Sequence, residues 1–390
     1  MIPHGMPCLA GLTDHESLKS FFMESWDKLP RVAVGASLPW LGSLMDLTDV
    51  EGFMASLPVP TQSLMSLIAG GAREPGRECR SADGFINLGA IHQLFSEGMS
   101  FVLTKMHKRH PFTGRLCRAL ETDLVKGGLI LTERIGANLY LTPPQAQALD
   151  PHFDFHHVLV IQLEGQKHWK IWTQHHQVNN PKHEGGVDKN ALGSPILEPN
   201  LKPGDVLYIP RGCPHEAGTA ESHSLHLTLS MTPVSWNHLL GTALEDHHAL
   251  NQPLPPFFDA SDLGPLAQIE TLLHQRLGDA YRHSQETFAM NLSQLPGEGF
   301  AMRYQTLVGD TLLKLAPGSL PILRVDATQV HLTLQGSRFS LPKKALTALE
   351  LICTGTSFKP HSLPELSTQE ALTLAKTLQQ QGCLCVVCAN

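Results

Sequence analysis

The residues best suited to chemistry lie in one stretch, Pro-His-Phe-Asp-Phe-His-His, which begins at Pro151. If residues 152–163 form a strand, the two-residue period places His152, Asp154 and His156 on one face and the apolar residues from Phe153 to Leu163 on the other. His152 and Asp154 would then project together and could occupy two neighbouring positions around one metal ion. A third ligand must come from elsewhere in the sequence.

His215 is the best candidate for this third ligand. It ends the stretch 204–215, in which a predicted strand (Val-Leu-Tyr-Ile) leads into a Pro-Arg-Gly turn. Two histidines and one carboxylate make the facial triad of non-haem Fe(II) oxygenases, which leaves three adjacent positions for a co-substrate and O₂. The spacing therefore predicts an iron site formed by His152, Asp154 and His215.

Lys167 is expected to face the same interior. The sequence Glu-Gly-Gln at 164–166 predicts a turn, and a returning strand would alternate Lys167, Trp169 and Ile171 with His168 and its neighbours. An inward-facing cation beside a metal site is costly unless an anion pairs with it. A dicarboxylate co-substrate that chelates the metal would supply this anion.

The remaining histidines have other predicted roles. His156 lies about 13 Å along the strand from His152, so a contact to substrate or to the ligands is favoured over metal ligation. His226 is expected to face inward and is a second candidate substrate contact. His157 is predicted to be a packing residue, and solvated positions are expected for His168, His175, His176 and His183.

The elements that position these residues are mostly short strands. Helical spacing near 90–97 and 113–122 is followed by predicted strands at 128–132, 137–142, 152–163, 167–173, 205–210 and 224–230. Many short strands with Gly/Pro turns are typical of a β-barrel or a double-sheet jelly roll, the architecture that includes cupins. The fold class is therefore predicted to be α+β.

The C-terminal part returns to helical spacing over 234–293. Its apolar stripe could pack on a second copy of the protein or on its own barrel. Beyond 300, a strand at 330–334, a helix at 343–352, a capping box at 367–370, a helix to 381 and a strand at 384–387 predict a small winged-helix fold. Residues 316–390 hold six basic and four acidic residues, a surplus too small for a duplex-DNA reader, which favours contact with protein.

Composition narrows the class of protein. The 390 residues are 42% hydrophobic, and 36 acidic against 29 basic side chains give a net charge of -7, so no general footprint for nucleic acid or anionic membrane is present. No secretory signal pattern or run of 18 apolar residues is evident, which predicts a cytoplasmic protein. The eight cysteines are expected to be reduced. Cys383, Cys385 and Cys388 could form a metal site, but buried strand positions are favoured.

Five motifs together resemble the JmjC-type ribosomal oxygenases, also called the cupin-4 family: Asn-Leu-Tyr-Leu-Thr-Pro-Pro at 138–144, Pro-His-Phe-Asp at 151–154, Gln-Leu-Glu-Gly-Gln-Lys-His-Trp at 162–169, Pro-Arg-Gly with His215, and the strand at 223–230. The resemblance covers most of the sequence. It implies a double-stranded β-helix barrel with a helical cover over 1–233, a helical dimerisation region over 234–299, and a winged-helix-like domain over 300–390.

The resemblance also implies functions for individual residues. His152, Asp154 and His215 would bind Fe(II), and Lys167 would bind the distal carboxylate of the co-substrate 2-oxoglutarate. Asn138, Tyr140 and Thr228 match positions that help to bind the co-substrate.

The implied reaction is hydroxylation of a histidine or arginine side chain on a ribosomal protein by a homodimeric, O₂-dependent enzyme. The pair His156-His157 departs from the acidic or tyrosine-containing residues expected in this family, which leaves the substrate open. Two alternatives remain: a tailoring hydroxylase of a peptide natural product, with the same chemistry, and a non-catalytic cupin-fold binding scaffold. Neither DNA nor a membrane is an expected partner.

Overall fold

The computed structural model describes residues 9–35, 38, 40–58, 65–68, 72–73, 79–173, 185–245, 264–292 and 306–387. The protein forms two compact units: the first comprises Met1–Gly127 with Ile135–Thr232, and the second comprises Gly128–Arg134 with Pro233–Asn390. No helix among the described residues is both long and apolar enough to cross a membrane.

The described part of the first unit has six α-helices and two antiparallel sheets. The helices are α1 (Leu9–Leu12), α2 (Leu18–Glu24), α3 (Leu47–Ala55), α4 (Leu88–Ser96), α5 (Met106–Arg109) and α6 (Pro111–Lys126). The strands are β1 (Arg31–Ala33), β2 (Met65–Ile68), β3 (Ala72–Arg73), β4 (Ser100–Leu103), β5 (Gly136–Thr142), β6 (His152–Phe153), β7 (His157–Gly165), β8 (Lys167–Ile171), β9 (Gly185–Gly186), β10 (Asn200–Leu201), β11 (Val206–Ile209), β12 (His215–Gly218) and β13 (Ser224–Met231).

These strands form the double-sheet jelly roll that the sequence predicts. The larger sheet has the order β1-β11-β7-β13-β5-β4-β2-β3, and the smaller one has the order β10-β8-β12-β6-β9. Buried side chains of both sheets pack together between them: Val158, Val160, Leu207 and Ile209 from the larger sheet, with Trp169, Ile171 and Leu201 from the smaller one. The alternation that exposes only one residue in two to this core fixes which side chains face the interior.

The predicted strand 152–163 is wrong in one respect, because it is two strands. β6 pairs with β12 in the smaller sheet, whereas β7 pairs with β11 and β13 in the larger sheet. The backbone passes from one sheet to the other at residues 154–156, where the Gly212 N–H donates a hydrogen bond of 2.8 Å to the Asp154 carbonyl. The even-numbered residues still face the interior on both sides of this crossing.

The predicted strand 128–132 is also wrong. Only Leu131 makes an isolated bridge, to Pro233, within the second unit. The preceding helix α6 ends at Lys126, and Gly128 has a φ of +84°, so the backbone turns there instead of extending.

Gly165 makes the turn between β7 and β8 possible. Its φ is +63°, and a Cβ atom at this position would lie 1.8 Å from the His223 carbonyl oxygen. Only glycine avoids this overlap, so this residue lets β8 return with Lys167 facing the interior.

An aromatic cluster backs the larger sheet. The His157 ring stacks on Trp26 with a centroid distance of 4.0 Å, and the Tyr208 hydroxyl lies 2.9 Å from His157 Nδ1. The Asp27 N–H donates to the same hydroxyl, and the Asp27 carboxylate accepts two hydrogen bonds from Arg211. His157 is therefore a fully buried packing residue, as predicted, and it joins the N-terminal segment to the barrel.

The second unit contains helices and two small sheets. Its helices are α7 (Trp236–Leu244), α8 (Gly264–Asn291), α9 (Leu346–Cys353) and α10 (Thr368–Gln380). Strands β15 (Ile322–Val325), β16 (Gln329–Leu334) and β17 (Ser337–Pro342) form one antiparallel sheet, and β14 (Leu313–Leu315) pairs with β18 (Leu384–Val386). The predicted capping box between Ser367 and Glu370 is present at the start of α10.

The cysteines of the second unit fit the buried alternative. Cys383 is fully buried and Cys385 is 9% exposed, and both lie at or in β18. Burial raises the pKa of the Cys383 thiol to about 12, so it is not a thiolate at neutral pH. Cys388, His175, His176 and His183 lie outside the described residues.

The hydroxyl of Tyr208 gives a test of the aromatic cluster. Tyr208→Phe removes the acceptor of the Asp27 N–H and one of two partners of His157 Nδ1, which also accepts from the Arg211 backbone N–H at 3.4 Å. An unpaired buried polar group costs about 1 to 3 kcal/mol. We expect the free energy of unfolding, measured by urea denaturation, to fall by that amount. Tyr281→Phe, at a position 39% exposed, should change it by less than about 0.5 kcal/mol. Equal stability of the two variants would contradict a structural role for the hydroxyl.

Candidate functional site

A cavity of about 390 Å³ opens between the two sheets of the first unit. All nine site residues predicted from the sequence lie on its wall: Asn138, Tyr140, His152, Asp154, His156, Lys167, His215, His226 and Thr228. Six further residues complete the wall, namely Ala148, Leu149, Val158, Trp169, Ala217 and Ser230. One cavity therefore collects residues that are up to 92 positions apart in the sequence, from Asn138 to Ser230.

His152, Asp154 and His215 form a compact cluster in this cavity. One nitrogen or oxygen atom from each lies within 4.8 Å of the others, and His215 Nε2 is 3.6 Å from Asp154 Oδ2. His152 and His215 face each other as register partners of β6 and β12. Among the residues that the structure describes, this is the one group of three His, Cys, Asp or Glu side chains with such a spacing.

The two imidazoles are oriented for ligation through Nε2. His152 Nδ1 lies 2.8 Å from the Asp150 carbonyl oxygen, and His215 Nδ1 lies 3.0 Å from the Cys213 carbonyl oxygen. A carbonyl oxygen can only accept, so each Nδ1 carries a proton, and the neutral form of each ring has its lone pair on Nε2. Burial, followed by the neighbouring His152, lowers the pKa of His215 to about 4, so this ring is neutral at physiological pH. Two imidazoles and a carboxylate fit Fe(II).

Lys167 is a buried cation at the same cavity. It is 3% exposed, and its Nζ donates a hydrogen bond of 2.9 Å to the Thr142 hydroxyl. None of the carboxylates that the structure describes forms an ion pair with it, and burial lowers its pKa to about 7. A buried ammonium without a counter-ion is the feature expected of an anion-binding residue that has been prepared before its ligand arrives.

Tyr140, Trp169 and His226 surround the inner part of the cavity. The His226 ring lies parallel to Tyr140 with a centroid distance of 5.0 Å and meets Trp169 edge to face at 5.7 Å. Burial and the charge of Lys167 hold the pKa of His226 well below its usual value, so the ring is neutral. His226 Nδ1 and Trp169 Nε1 are buried without a hydrogen-bond partner, which leaves them available to a bound molecule.

His156 points into the cavity but is not part of the ligand cluster. Its Nδ1 is also buried without a partner, and its ring contacts Phe155 edge to face. This position agrees with the prediction that His156 contacts a ligand or substrate and does not bind the metal. Asn138 and Thr228 are register partners on β5 and β13 and line the cavity side by side.

Sequence reasoning missed a polar network behind the cavity wall. Glu216, next to His215, is 6% exposed and forms an ion pair of 2.7 Å with Lys189. Gln147 Nε2 lies 3.3 Å from Glu216 Oε2 and 3.0 Å from the Leu149 carbonyl oxygen. Because Leu149 lines the cavity, this network connects the strand that carries His215 to a neighbouring segment of the wall, in which Gln147 bridges to Gly218. No local pattern indicated this network, whereas the alternation with Lys167 correctly predicted that Trp169 faces the interior.

Comparison with known proteins agrees with this site. Residues 118–239 match the model of the JmjC domain family. The bifunctional lysine-specific demethylase and histidyl-hydroxylase NO66 of Aedes aegypti is 27% identical over 336 residues, which cover 83% of this chain and 50% of that protein. Ribosomal oxygenase 1 of Danio rerio is 28% identical over 233 residues, which cover 57% of this chain and 40% of that protein.

The fold is similar to that of a solved bacterial protein. YcfD, a ribosomal oxygenase from Escherichia coli in complex with cobalt and 2-oxoglutarate, aligns with a TM-score of 0.56 and 16% identity over 94% of this chain and 97% of that one. At this identity the likeness shows the fold.

The protein spans half or less of the length of the curated relatives reported above. Within that span, the JmjC match, the relatives and the shared fold all lie over the cavity that holds His152, Asp154 and His215. Residues 118–239 are therefore similar to the JmjC domain, and the fold of the chain is similar to that of YcfD.

Proposed function

We propose that this protein is an Fe(II)- and 2-oxoglutarate-dependent oxygenase that hydroxylates a carbon–hydrogen bond in one side chain of a protein substrate. The observation that carries the proposal is the presence, in one cavity, of a His-Asp-His cluster with free Nε2 atoms and a buried lysine without a counter-ion. A metal site alone would fit many functions. The lysine adds a requirement for an anion that reaches from the metal into the cavity interior, which a 2-oxo dicarboxylate meets.

Each residue has a defined task in this proposal. His152, Asp154 and His215 hold the iron, and Lys167 with Thr142 binds the distal carboxylate of 2-oxoglutarate. Asn138, Tyr140 and Thr228 line the path between these two ends. Bound Fe(II) and 2-oxoglutarate supply the oxidising chemistry with O₂, releasing succinate and CO₂ and placing one oxygen atom on the substrate carbon. The protein itself orients the reactants and excludes water, so it needs no acid or nucleophile.

The charges of the cavity favour a neutral target side chain. Asp154 is the one carboxylate among the residues that line the cavity, and in this proposal it is bound to the iron. An arginine guanidinium would lose its hydration without gaining an ionic partner among the residues that line the cavity. A neutral imidazole has no such cost and can pair with the unpartnered nitrogens of His156 or His226. We therefore propose a histidine, on a ribosomal protein, as the hydroxylated residue.

Ribosomal substrates are suggested by the names of the relatives, one of which is a histidyl-hydroxylase and another a ribosomal oxygenase. The non-catalytic scaffold is the weaker alternative, because a scaffold has no need to keep three correctly oriented ligands and a buried lysine. A peptide natural product as substrate would use the same residues and is separated from a ribosomal protein by experiment.

The domain organisation proposed from the sequence is a catalytic domain over 1–233, a dimerisation region over 234–299 and a winged-helix-like domain over 300–390. Two large side chains on α7 and α8 support a homodimer, since Trp236 is 69% and Met290 40% exposed. The arrangement of α9, α10 and the β-strands around them supports the winged-helix assignment.

Removal of one ligand tests the metal site. His215→Ala should weaken Co(II) or anaerobic Fe(II) binding by at least about 100-fold, because even the partners of metal ligands contribute 10- to 100-fold. Calorimetric titration measures the affinity, and succinate formation from 2-oxoglutarate should disappear with it. His168→Ala, at a side chain 45% exposed, is the matched control and should bind metal normally. Unchanged affinity in His215→Ala would refute the assignment.

The pKa of Lys167 predicts how co-substrate affinity depends on pH. The unliganded lysine has a pKa of about 7, and a bound carboxylate favours its charged form and raises that pKa. Affinity for 2-oxoglutarate should therefore be full below pH 7 and should fall by up to about tenfold per pH unit above it. Dissociation constants for 2-oxobutanoate, which lacks the distal carboxylate, correct for titration of the metal ligands. Parallel pH profiles of the two acids, or normal 2-oxoglutarate binding by Lys167→Ala, would contradict the role of Lys167.

Paired substrates test the target residue. Ribosomal proteins and short natural-product-like peptides are incubated with the Fe(II)-loaded protein, 2-oxoglutarate and air, and products are searched for a mass gain of one oxygen atom. We expect the modified residue to be a histidine, and a His→Arg version of the same peptide should lose at least about tenfold in kcat/KM, equivalent to one unpaired buried charge interaction. Preferred turnover of the arginine peptide would overturn the argument from cavity charge, whereas modification of small peptides alone would favour a tailoring enzyme.

A further inference from the structure

Residues 98–120 form the most basic segment of an acidic protein. They contain five Lys or Arg residues and no Asp or Glu, although acidic residues outnumber basic ones by 36 to 29 over the whole sequence. The five are Lys105, Lys108, Arg109, Arg115 and Arg118. Arg118 is buried in an ion pair with Glu121, so the remaining positive charge of this segment comes from the other four residues.

The segment is attached to the strand that forms one edge of the cavity. The Lys105 N–H donates a hydrogen bond of 3.2 Å to Asn138 Oδ1, and the Ala137 N–H donates one of 3.1 Å to His107 Nδ1. These two contacts hold the single turn of α5 against β5. Because Asn138 lines the cavity, the Lys105 backbone lies beside the cavity wall, and Lys108 follows it by about one helical turn along α5.

Lys105 and Lys108 are exposed and carry free charge. Neither forms an ion pair with any carboxylate in the part of the protein that the structure describes, and the Arg109 guanidinium donates to the Thr104 carbonyl oxygen beside them. His107, which lies between the two lysines, points inward. We call Lys105 and Lys108 the basic rim.

We propose that the basic rim docks acidic side chains that flank the target residue of the substrate. This inference rests on the proposed function, which places one peptide side chain in the cavity. An extended peptide advances about 3.3 Å per residue, so positions two to four residues from the target pass over a surface about 7 to 13 Å from the cavity. The basic rim lies in this zone and selects carboxylates there by charge.

An acidic peptide fits the basic rim better than a nucleic acid does. The net charge of -7 opposes the approach of a long polyanion, whereas a few carboxylates on a peptide interact mainly with the nearest charges. The aromatic residues nearest the segment are also unsuited to stacking bases, since Phe112 is 6% exposed and Phe53 lies under the Arg109 guanidinium. The substrate specificity that follows is a histidine with Asp or Glu two to four positions away.

The test uses the purified full-length protein and two fluorescein-labelled peptides that share a central histidine. One carries two Glu residues on each side and the other two Lys residues on each side. At low salt, fluorescence anisotropy should give a dissociation constant about tenfold lower for the acidic peptide, as expected from several exposed charge pairs acting together. The preference should diminish as the salt concentration rises.

Charge reversal supplies the sharper comparison. The double variant Lys105→Glu/Lys108→Glu changes two exposed side chains, so the fold is expected to survive, and circular dichroism verifies this. Its preference should switch to the basic peptide. Lys126→Glu, at the far end of α6, makes the same kind of change away from the cavity and should keep the original preference.

Three outcomes would overturn the proposal: equal binding of the two peptides by the original protein, the same loss of preference in Lys126→Glu, or tighter binding of a labelled oligouridylate that the double variant abolishes. Measurement of succinate and of peptide mass separates this inference from the proposed function. Charge-selective binding without hydroxylation of any histidine peptide would refute the proposed oxygenase function but support the docking of acidic side chains by the basic rim. Hydroxylation of both peptides with equal KM would support the oxygenase function and refute the docking role of the basic rim.

Discussion

The antiparallel pairing of β6 with β12 is the constraint on which the site depends. This pairing has a single register contact, His152 opposite His215, and those two residues are also two of the three members of the ligand cluster. A shift of one residue in either strand would turn one imidazole away from the cavity, because strand side chains alternate between faces. The fold therefore holds the register from both sides: β12 also pairs with β8 over four residues, and β6 pairs with β9. The short strand β6 needs this support because two residues alone cannot fix their own register.

Much of this site was predictable from the sequence because its residues follow local rules. The interval between His152 and Asp154 requires only the period of a strand, and the inward face of Lys167 follows from the turn at Gly165. The crossing at 154–156 was not predictable in the same way. Even-numbered residues face the interior before and after it, so the hydrophobic alternation of 152–163 is the same for one continuous strand as for two strands in different sheets. Only the hydrogen-bond partners, β12 for one strand and β11 for the other, distinguish the two cases.

The network around Glu216 was unpredictable for a different reason. Gln147 and Glu216 are 69 residues apart, and Lys189 lies on a third segment, so no spacing rule connects them. Burying the carboxylate is costly unless it is paired, and its ion pair with Lys189 and the hydrogen bond from Gln147 offset that cost. The same contacts hold the Leu149 wall of the cavity in place. Local sequence thus determines which side chains face the interior, whereas long-range polar contacts hold together the segments that form the cavity wall.

The unusual pair His156-His157 shows that two neighbouring residues can have different functions. Since they adjoin the start of β7, their side chains point to opposite sides of the larger sheet. His156 faces the cavity with a buried Nδ1 that has no partner, so its environment is incomplete without a bound molecule. His157 is enclosed by Trp26 and Tyr208, and burial holds its pKa well below the usual value, so it remains neutral and serves packing. A change at 157 should therefore act through the attachment of the N-terminal segment, and a change at 156 should act on what the cavity accepts. The residue at 157 therefore affects packing, and of the two positions only His156 concerns the choice of substrate.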